Sequence, residues 1–321
     1  MNSRKAITDT ILMIRPVNFR YNEETAVNNY YQKVRDDISP ADVQEQARKE
    51  FEMFVEKLRT KGIRVIVIED SVRPETPDSI FPNNWVSFHQ DGKVGLYPMF
   101  AQNRRLERRN EIFDVLDSEY GLHVRNMVDF TGFEKEHKFL EGTGSMVLDR
   151  VNKIAYAAIS ERTDIDILRE FCSRFSYEAV TFTAYQTVGE ERLPIYHTNV
   201  MMCVGDTFAV ICTDCIDDSR EREKVMDSLE KSGKEIVTIT ESQVQRFAGN
   251  MLEVCARKMP QNKYLVMSAS AYQSLTREQR KTLSRHCELV YSSLDTIEAL
   301  GGGSARCMMA EVFLPEAPKN S

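Results

Sequence analysis

The sequence predicts an α/β fold, a five-bladed α/β propeller of ββαβ repeats, and three observations lead to this fold class. A pattern of two strands, a helix and a closing strand recurs in residues 11–70, 81–130, 139–183, 195–240 and 247–315. No linker rich in Pro or Ser interrupts this series. Each β-rich unit alone would leave one face exposed, so the five units are expected to close around one axis as a single domain, residues 1–321. A two-layer α/β sandwich of non-equivalent units is the alternative.

Short apolar runs bounded by turn residues predict the first two strands of each unit. Turn pairs such as Asp91-Gly92 and Gly205-Asp206 separate the two runs and predict hairpins. The first unit differs, because a long insertion follows its first strand at 11–17. In the other units the paired strands are 85–88 with 94–97, 145–148 with 154–156, 200–204 with 208–212, and 251–255 with 264–267.

Each unit continues with a charged stretch that predicts a helix and ends with a short apolar segment that predicts a closing strand. The fourth unit shows this order most clearly. The predicted helices are 41–59, 104–116, 164–175, 218–231 and 276–287. The predicted closing strands are 63–68, 123–128, 177–182, 235–239 and 288–291.

Composition narrows the class of protein and its partners. The chain of 321 residues is 42% hydrophobic and 28% charged, as expected for a globular protein with a sizeable core. Its net charge of −7 argues against a broad phosphate-binding surface and against nucleic acid as a partner, but leaves room for a small basic pocket. The apolar run 11–14 is too short for a membrane span or a secretion signal, so a cytoplasmic location is expected. A homo-oligomer is compatible with the sequence, which does not determine the state of assembly.

Seven cysteines form an odd set without the tight spacing of a secreted disulfide scaffold, so most are expected to be reduced core residues. Cys212 and Cys215 have the spacing of a redox or zinc pair. No second pair and no nearby histidine complete a four-ligand site. Neither a metal nor another cofactor is therefore expected.

Polar residues occupy corresponding positions beside the first strand of four units: Asn84, Glu141, Asn199 and Asn250. If the units form a closed ring, these four side chains meet at one end of its axis. Convergent polar groups in a concave and otherwise apolar mouth are the usual form of a binding site. The pattern therefore predicts a small-molecule site there.

Three further features are candidates for chemistry, although each also has a structural interpretation. Glu141 precedes glycines that let a ligand approach the backbone, or it is a solvated turn carboxylate. His197 suits proton transfer near neutral pH, or it is a satisfied core histidine. Cys307 follows the glycines 301–303 and precedes a predicted strand, so its thiolate could be reached and activated, or it is a spectator in a flexible loop.

Five motifs together resemble the superfamily of arginine deiminases, dimethylarginine hydrolases and amidinotransferases, the penteins. They are 81–84 (FPNN), 98–99 with 104–107 (PM, RRLE), 140–142 (LEG), 197–199 (HTN) and 301–307 (GGGSARC). The resemblance implies the five-bladed pentein fold and a Cys-His-Glu core. It makes Cys307 the nucleophile, His197 the proton shuttle and Glu141 the carboxylate that orients the substrate nitrogen and the histidine.

The resemblance also implies substrate-binding residues. Arg162 falls where arginine deiminases have an arginine for the substrate carboxylate, and Arg104 or Arg105 has a comparable position. These arginines could instead be solvated surface charges. The bidentate geometry of a guanidinium on a carboxylate favours binding.

The departures from the superfamily concern the substrate. Members that process guanidines have aspartates at the positions of Asn84 and Asn199. A guanidinium offers only donors and a positive charge, whereas a ureido group is neutral and adds a carbonyl acceptor. The two amides therefore favour a ureido substrate, most simply citrulline, and the pattern also resembles the citrulline-utilisation hydrolase branch.

Three other functions stay open at this point. An arginine or methylarginine deiminase-type hydrolase that tolerates asparagine at these positions would use the same core. An amidinotransferase would share the nucleophile but needs a second acceptor site, and no sequence feature identifies one. A non-catalytic pentein binding protein, like the ribosome anti-association factors, would lack the nucleophile.

Overall fold

Five three-stranded sheets form the framework of the protein. The structure, a computed structural model, describes residues 4–34 and 38–316. In every one of these sheets the middle strand pairs antiparallel with one neighbour and parallel with the other. The mixed α/β class that the sequence predicts is therefore confirmed.

The strands agree with the predicted ones to within a few residues, except for one added hairpin. In chain order they are β1 (Thr10–Arg15), β2 (Arg64–Glu69), β3 (Val86–Phe88), β4 (Lys93–Leu96), β5 (Asn126–Asp129), β6 (Val147–Asp149), β7 (Ile154–Ala158), β8 (Glu178–Phe182), β9 (Tyr185–Val188), β10 (Glu191–Pro194), β11 (Met202–Val204), β12 (Phe208–Ile211), β13 (Glu235–Thr238), β14 (Leu252–Cys255), β15 (Lys263–Ser268), β16 (Glu288–Ser292) and β17 (Ala310–Glu311). The sheets have the orders β17-β1-β2, β3-β4-β5, β6-β7-β8, β11-β12-β13 and β14-β15-β16, and β9 and β10 form the added hairpin.

The C-terminal strand has a different partner from the one that the repeat pattern gives it. The repeat pattern places residues up to 315 in the fifth unit, but β17 pairs with β1, with Leu12 opposite Ala310. The antiparallel strand of the first unit therefore comes from residues that are about 300 positions away along the chain. Its own insertion, between β1 and the next long helix, is free for another use.

Helices connect the second and third strands of each sheet, and three further short helices lie between one sheet and the next. They are α1 (Glu23–Ala26), α2 (Pro40–Thr60), α3 (Glu111–Ser118), α4 (Gly142–Ser145), α5 (Ile165–Phe175), α6 (Ser219–Lys231), α7 (Glu241–Val244), α8 (Ala269–Ser274), α9 (Arg277–Leu283) and α10 (Asp295–Gly301). Side-chain oxygens fix where several of them begin: Asp164 and Asp218 accept two backbone N–H groups each at the starts of α5 and α6.

Two predicted helices are shorter than expected. The stretch 104–116 divides into a 3₁₀ turn, Asn103–Glu107, and α3, because Arg104 and Glu107 turn inward and are buried. The stretch 276–287 gives α9 alone, since Ser284 ends the helix and a turn leads into β16. Tertiary contacts override helical propensity in the first of these.

Short helical turns before three of the first strands contain or directly follow three of the four converging polar residues, Asn84, Glu141 and Asn199. Pro82–Asn84 precedes β3, α4 precedes β6, and Thr198–Val200 precedes β11. The turns contact one another. Gly142 makes this approach possible: its φ is +45°, and a Cβ there would lie 2.4 Å from the carbonyl oxygen of Asn83.

Candidate active site

The predicted residues converge on one narrow cleft. His197, Cys307, Asn84, Arg104 and Arg162 all line it, and its free volume is only about 10 Å³. Phe81 and Gly301–Gly303, which belong to the FPNN and GGGSARC motifs, also line it, and the rest of its wall comes from residues outside every motif: Thr25, Asn29, Asp78 and Tyr196. A larger depression of about 590 Å³ elsewhere on the surface contains none of the predicted residues. The small cleft is therefore the candidate active site, because the predicted side chains line it.

Glu141 lies directly behind His197 and sets its protonation. His197 Nε2 is 2.7 Å from Glu141 Oε2, and both side chains are buried. Burial would raise the pKa of Glu141, but the nearby charge of Arg162 and the His197 hydrogen bond hold that pKa at about 2. Burial lowers the pKa of His197 to about 4 although Glu141 opposes this shift. At neutral pH a neutral imidazole thus donates from Nε2 to an ionised carboxylate, which leaves Nδ1 as an acceptor.

Cys307 sits in a turn just before β17. Its backbone N–H donates to Ser304 O at 3.0 Å, and the side chain is 4% exposed. Two amides donate towards the sulfur, Asn250 Nδ2 at 3.2 Å and Asn199 Nδ2 at 3.6 Å. The two amides thus hold the sulfur in a fixed position at the cleft.

Asn84 presents an unsatisfied donor beside the histidine. Its Oδ1 accepts from Arg104 Nη1 at 2.9 Å, and because a guanidinium has no acceptor, this contact fixes which end of the amide is oxygen. Its Nδ2 is buried and has no partner among the described residues. A Cβ on Gly144 would lie 2.3 Å from this Nδ2 and 2.8 Å from His197 Nδ1, so both atoms border the same small space. A ligand acceptor would satisfy this donor.

Arg162 is buried between two rings and held by acceptors. Its guanidinium lies 5.4 Å from the centroid of Phe100 and 4.8 Å from that of Tyr196. Its Nη1 is 3.6 Å from Glu141 Oε2, while Nε donates to Asn28 Oδ1 at 2.9 Å and Nη2 to Thr25 O at 2.8 Å. Two neutral oxygens thus occupy the fork of this arginine.

Arg104 and Arg105, which the sequence could not separate, point in different directions. Arg104 is buried, lines the cleft and pairs with Glu107 at 2.8 Å. Arg105 donates to the carbonyl of Met99 at 3.0 Å and lies 3.6 Å from Glu134, away from the cleft lining. Of the two, only Arg104 borders the cleft.

Asp78 is the most informative residue that sequence reasoning missed. Its Oδ2 accepts from Asn22 Nδ2 at 2.8 Å and Thr25 Oγ1 at 3.1 Å, whereas Oδ1 is buried with no partner among the residues that the structure describes. Burial raises the pKa of Asp78, and the charge of Arg104 opposes this shift. Its position just before the FPNN motif was the one available signal.

The insertion of the first unit covers the cleft, and we call residues 18–33 the strap. Asn29 Nδ2 donates to Gly301 O at 3.3 Å and to Gly302 O at 3.4 Å, and Gln32 Nε2 donates to Leu300 O at 2.9 Å. The strap thus bonds to the glycine segment that precedes Cys307. This explains why the cleft is nearly closed.

A family model described as N,N-dimethylarginine dimethylhydrolase, eukaryotic, matches residues 15–314. The match includes every predicted site residue. The chain belongs to this family. The resemblance to the pentein superfamily is thereby confirmed, and the family is one of hydrolases that act on carbon–nitrogen bonds. Among curated protein sequences, no match to this member of the dimethylhydrolase family is found.

Solved structures share the fold of this dimethylhydrolase family member at low sequence identity. ArgZ, an arginine dihydrolase from the ornithine-ammonia cycle in cyanobacteria, is 17% identical with a TM-score of 0.71, over 96% of this chain and 41% of that chain. The N-terminal domain of ArgZ, as a cysteine-to-serine mutant bound to substrate, is 16% identical with a TM-score of 0.67, over 95% and 99%. A histidine-to-glycine dimethylarginine dimethylaminohydrolase with an S-methyl-L-thiocitrulline adduct is 11% identical with a TM-score of 0.61, over 95% and 99%.

Within residues 4–34 and 38–316, no group of three or more His, Cys, Asp or Glu side chains could hold a metal ion. Cys212 and Cys215 are free thiols, both buried. The same part of the chain contains no helix long and apolar enough to cross a membrane.

We expect Gly144→Ala to lower kcat by about 100-fold while the fold persists, because a misplacement of about 1 Å can have this effect. The new methyl group would collide with Asn84 Nδ2 and His197 Nδ1, which Arg104 and Glu141 hold in place. Gly132→Ala is the matched control, since nothing lies within 4 Å of a Cβ there. The test is steady-state kinetics measured together with thermal unfolding. A Gly144→Ala enzyme with the wild-type kcat would contradict this geometry.

Proposed function

We propose that the protein hydrolyses the ureido group of citrulline to give ornithine, ammonia and carbon dioxide. The observation that carries this proposal is the buried Nδ2 of Asn84, a donor without a partner in the described structure. A ureido carbonyl oxygen supplies the acceptor that this donor lacks. A guanidinium has no acceptor and would face the N–H group with its own N–H groups.

The charge around the reacting groups supports a neutral substrate. Glu141 is ionised but already pairs with Arg162 and His197. The two positions that carry aspartate in guanidine-processing relatives carry the neutral Asn84 and Asn199. A bound guanidinium would therefore lack the two extra carboxylates that compensate its charge in those enzymes.

The remaining cleft residues suit the α-amino acid end of the substrate. Asp78 Oδ1, buried and unpartnered, can accept from the α-ammonium group. Arg162 can receive the carboxylate in its fork if Asn28 and Thr25 withdraw, and Arg104 borders the same cleft. Because the cleft holds only about 10 Å³, binding requires the strap to move, and this would release Arg162 at the same time.

In the proposed first half-reaction, the thiol proton of Cys307 passes to His197 Nδ1 and the sulfur adds to the ureido carbon. The carbonyl electron pair moves onto oxygen, where Asn84 Nδ2–H donates a hydrogen bond. Collapse breaks one carbon–nitrogen bond, and His197 returns the proton to the leaving nitrogen. Either nitrogen can leave first, giving a thiocarbamate on Cys307.

In the second half-reaction, His197 takes a proton from water, and the resulting hydroxide attacks the thiocarbamate carbon. The carbon–sulfur bond breaks, and the sulfur takes the proton back. The carbamic acid that is released separates into carbon dioxide and the remaining amine. The Glu141 carboxylate stabilises the imidazolium formed in each half-reaction, so the pair works as a proton shuttle.

The ligands captured in similar structures are consistent with this chemistry. The N-terminal domain of ArgZ was captured with substrate as a cysteine mutant, and another mutant was captured bound covalently to a reaction intermediate. AgrE, a further similar protein, was obtained with ornithine and NAD⁺. This chain spans about 40% of the AgrE chain, so its reactions need not extend to those of the longer protein.

An arginine-type hydrolase is the second candidate. The family description and the arginine dihydrolase neighbours favour it, and they fit a guanidino substrate as well as a ureido one. Amidino transfer would need a second amine site, and the described cleft contains only one small space. A purely binding role is disfavoured by the presence of Cys307, His197 and Glu141 around that space.

We expect replacement of both Asn84 and Asn199 by Asp to lower kcat/KM for citrulline and to raise arginine turnover relative to citrulline. The substitution removes the donor that meets the ureido oxygen and presents a carboxylate to it, which costs about 1–3 kcal/mol per unsatisfied group. The measurement is kcat/KM for both substrates in wild type, both single variants and the double variant.

Asn262→Asp, on the surface between β14 and β15, is the matched control and should leave the ratio unchanged. An unchanged citrulline-to-arginine ratio in the double variant would remove the physical support for citrulline. If wild-type enzyme instead prefers arginine and yields ornithine, the second candidate is the function.

We further propose that the five sheets close into a propeller as one domain over residues 1–321. β17 contacts β3, β11 contacts both β6 and β14, and α2 from the first unit packs on β16 from the fifth. These contacts support a ring in which each unit meets the next. A cytoplasmic location and assembly into a homo-oligomer are also proposed, on the basis of the sequence alone.

A further inference from the structure

A second cavity lies at the opposite ends of the strands from the cleft. Strands β3 and β6 begin beside Asn84 and Ser145 and run towards hairpin turns at 89–92 and 150–153. Between these turns is a cavity of about 390 Å³, which we call the turn cavity. No residue that the structure describes lines both this cavity and the cleft. The turn cavity is therefore separate from the cleft.

Positive charge dominates the wall of the turn cavity. Five cationic side chains line it, but only one acidic residue, Asp91. The cations are Arg4, Lys5, Lys93, Arg150 and Lys153. The larger depression beside α6 has three cations and three carboxylates in its lining, so it is balanced. On a chain with a net charge of −7, such local imbalance is unusual.

The neighbouring acids compensate only part of this charge. Asp91 reaches Lys93 Nζ at 3.1 Å, and the next carboxylate inward, Glu311, is shared by Arg150 and Arg306. Lys153 Nζ contacts a carbonyl oxygen, that of Phe175 at 3.4 Å. Burial lowers the pKa of Lys153, and Arg150, Arg4 and Lys93 add to the effect, while Asp91 opposes it. The cations repel one another where water is partly excluded.

The backbone places Lys153 in this position at a conformational cost. Lys153 has φ +59°, a left-handed conformation that a non-glycine residue rarely adopts. Its ammonium group lies 4.4 Å from the ring centroid of Tyr177, in the wall of the cavity. A glycine would fit this turn more easily, so a lysine here points to a use for its charge.

We propose that the turn cavity binds a small anion with at least two negative charges, of phosphate or polycarboxylate chemistry. Such an anion would relieve the repulsion among Lys93, Lys153 and Arg150 and would accept hydrogen bonds from their N–H groups. The volume of about 390 Å³ admits a molecule larger than inorganic phosphate. This site is independent of the cleft and of the proposed hydrolase activity.

The test is isothermal titration calorimetry of the wild-type protein with pyrophosphate and with citrate, at an ionic strength held constant with KCl. We expect at least one of the two to bind with 1:1 stoichiometry, and the better probe distinguishes phosphate from carboxylate chemistry. Lys153→Gly, which removes the ammonium and suits the left-handed backbone, should weaken binding about tenfold, as should Lys93→Ala.

Two further variants separate a specific site from diffuse attraction. Asp91→Asn keeps an acceptor in the turn but removes the one acidic wall residue, so it should tighten binding, a gain that misfolding cannot mimic. Lys231→Ala removes a cation from the balanced depression and should change nothing. Absence of binding for both probes, or equal affinity in wild type, Lys153→Gly and Asp91→Asn, would overturn the proposal.

Discussion

Cys307→Ala is expected to eliminate turnover, by at least about 10⁴-fold, and to leave the fold in place. The proposed reaction passes through a covalent bond to this sulfur, and no other cysteine lines the cleft among the described residues. Alanine fits the volume that the thiol vacates. Ornithine release measured alongside thermal unfolding separates lost chemistry from lost structure.

Cys172→Ala is the matched control for that experiment. Cys172 lies on α5, is partly exposed and is not part of the cleft lining. Its removal should leave kcat unchanged. A covalent adduct that mass spectrometry finds on wild type, and not on Cys307→Ala, would identify the nucleophile directly. Turnover by Cys307→Ala above about one hundredth of wild type would rule out the covalent mechanism.

His197→Ala is expected to lower kcat by about 10²- to 10⁴-fold, the usual effect of losing a general acid and base. The change also leaves the buried Glu141 carboxylate without its hydrogen bond, so some loss of stability is expected. Partial rescue by added imidazole would distinguish a catalytic role from a structural one. His123→Ala, at an exposed histidine, serves as the control.

The pH profile gives a second test of His197. Its neutral form is the one that accepts a proton, and burial lowers its pKa to about 4. Wild-type kcat/KM should therefore persist as pH falls through about 6.5, the ordinary histidine value, and should be lost only near pH 4. A fall in wild-type kcat/KM between pH 7 and pH 6 that is absent from His197→Ala would contradict this prediction. It would place the pKa of His197 near the ordinary histidine value.

Local patterns in the sequence predicted the strands of the sheets and several residues that line the cleft. Each hairpin lies within about 20 residues, so its apolar runs and turn residues are read together, and the polar residues beside the first strands follow from the same repeat. Asn84, Glu141 and Asn199 were found in this way. They lie in or beside the short turns that contact one another in the structure.

What the sequence did not reveal depends on contacts between distant residues. Arg162 bonds to Asn28, which is 134 residues away, and no periodicity relates the two. The orientation of Arg104 inward and of Arg105 outward is decided by Glu107 and Glu134. Asp78 has no partner on its Oδ1, a fact visible only in three dimensions.

The pairing of Ala310 with Leu12 has a consequence for the order in which the enzyme folds. The two residues are far apart along the chain, yet Cys307 sits in the turn that leads directly into this pairing. Closing so long a loop is entropically unfavourable and slow, so it is expected late in folding. During synthesis the ribosome would have released nearly all of the strands before the nucleophile could meet His197. Catalytic activity would then report on this pairing, and a nascent chain would stay inert towards free amino acids until β17 docks on β1.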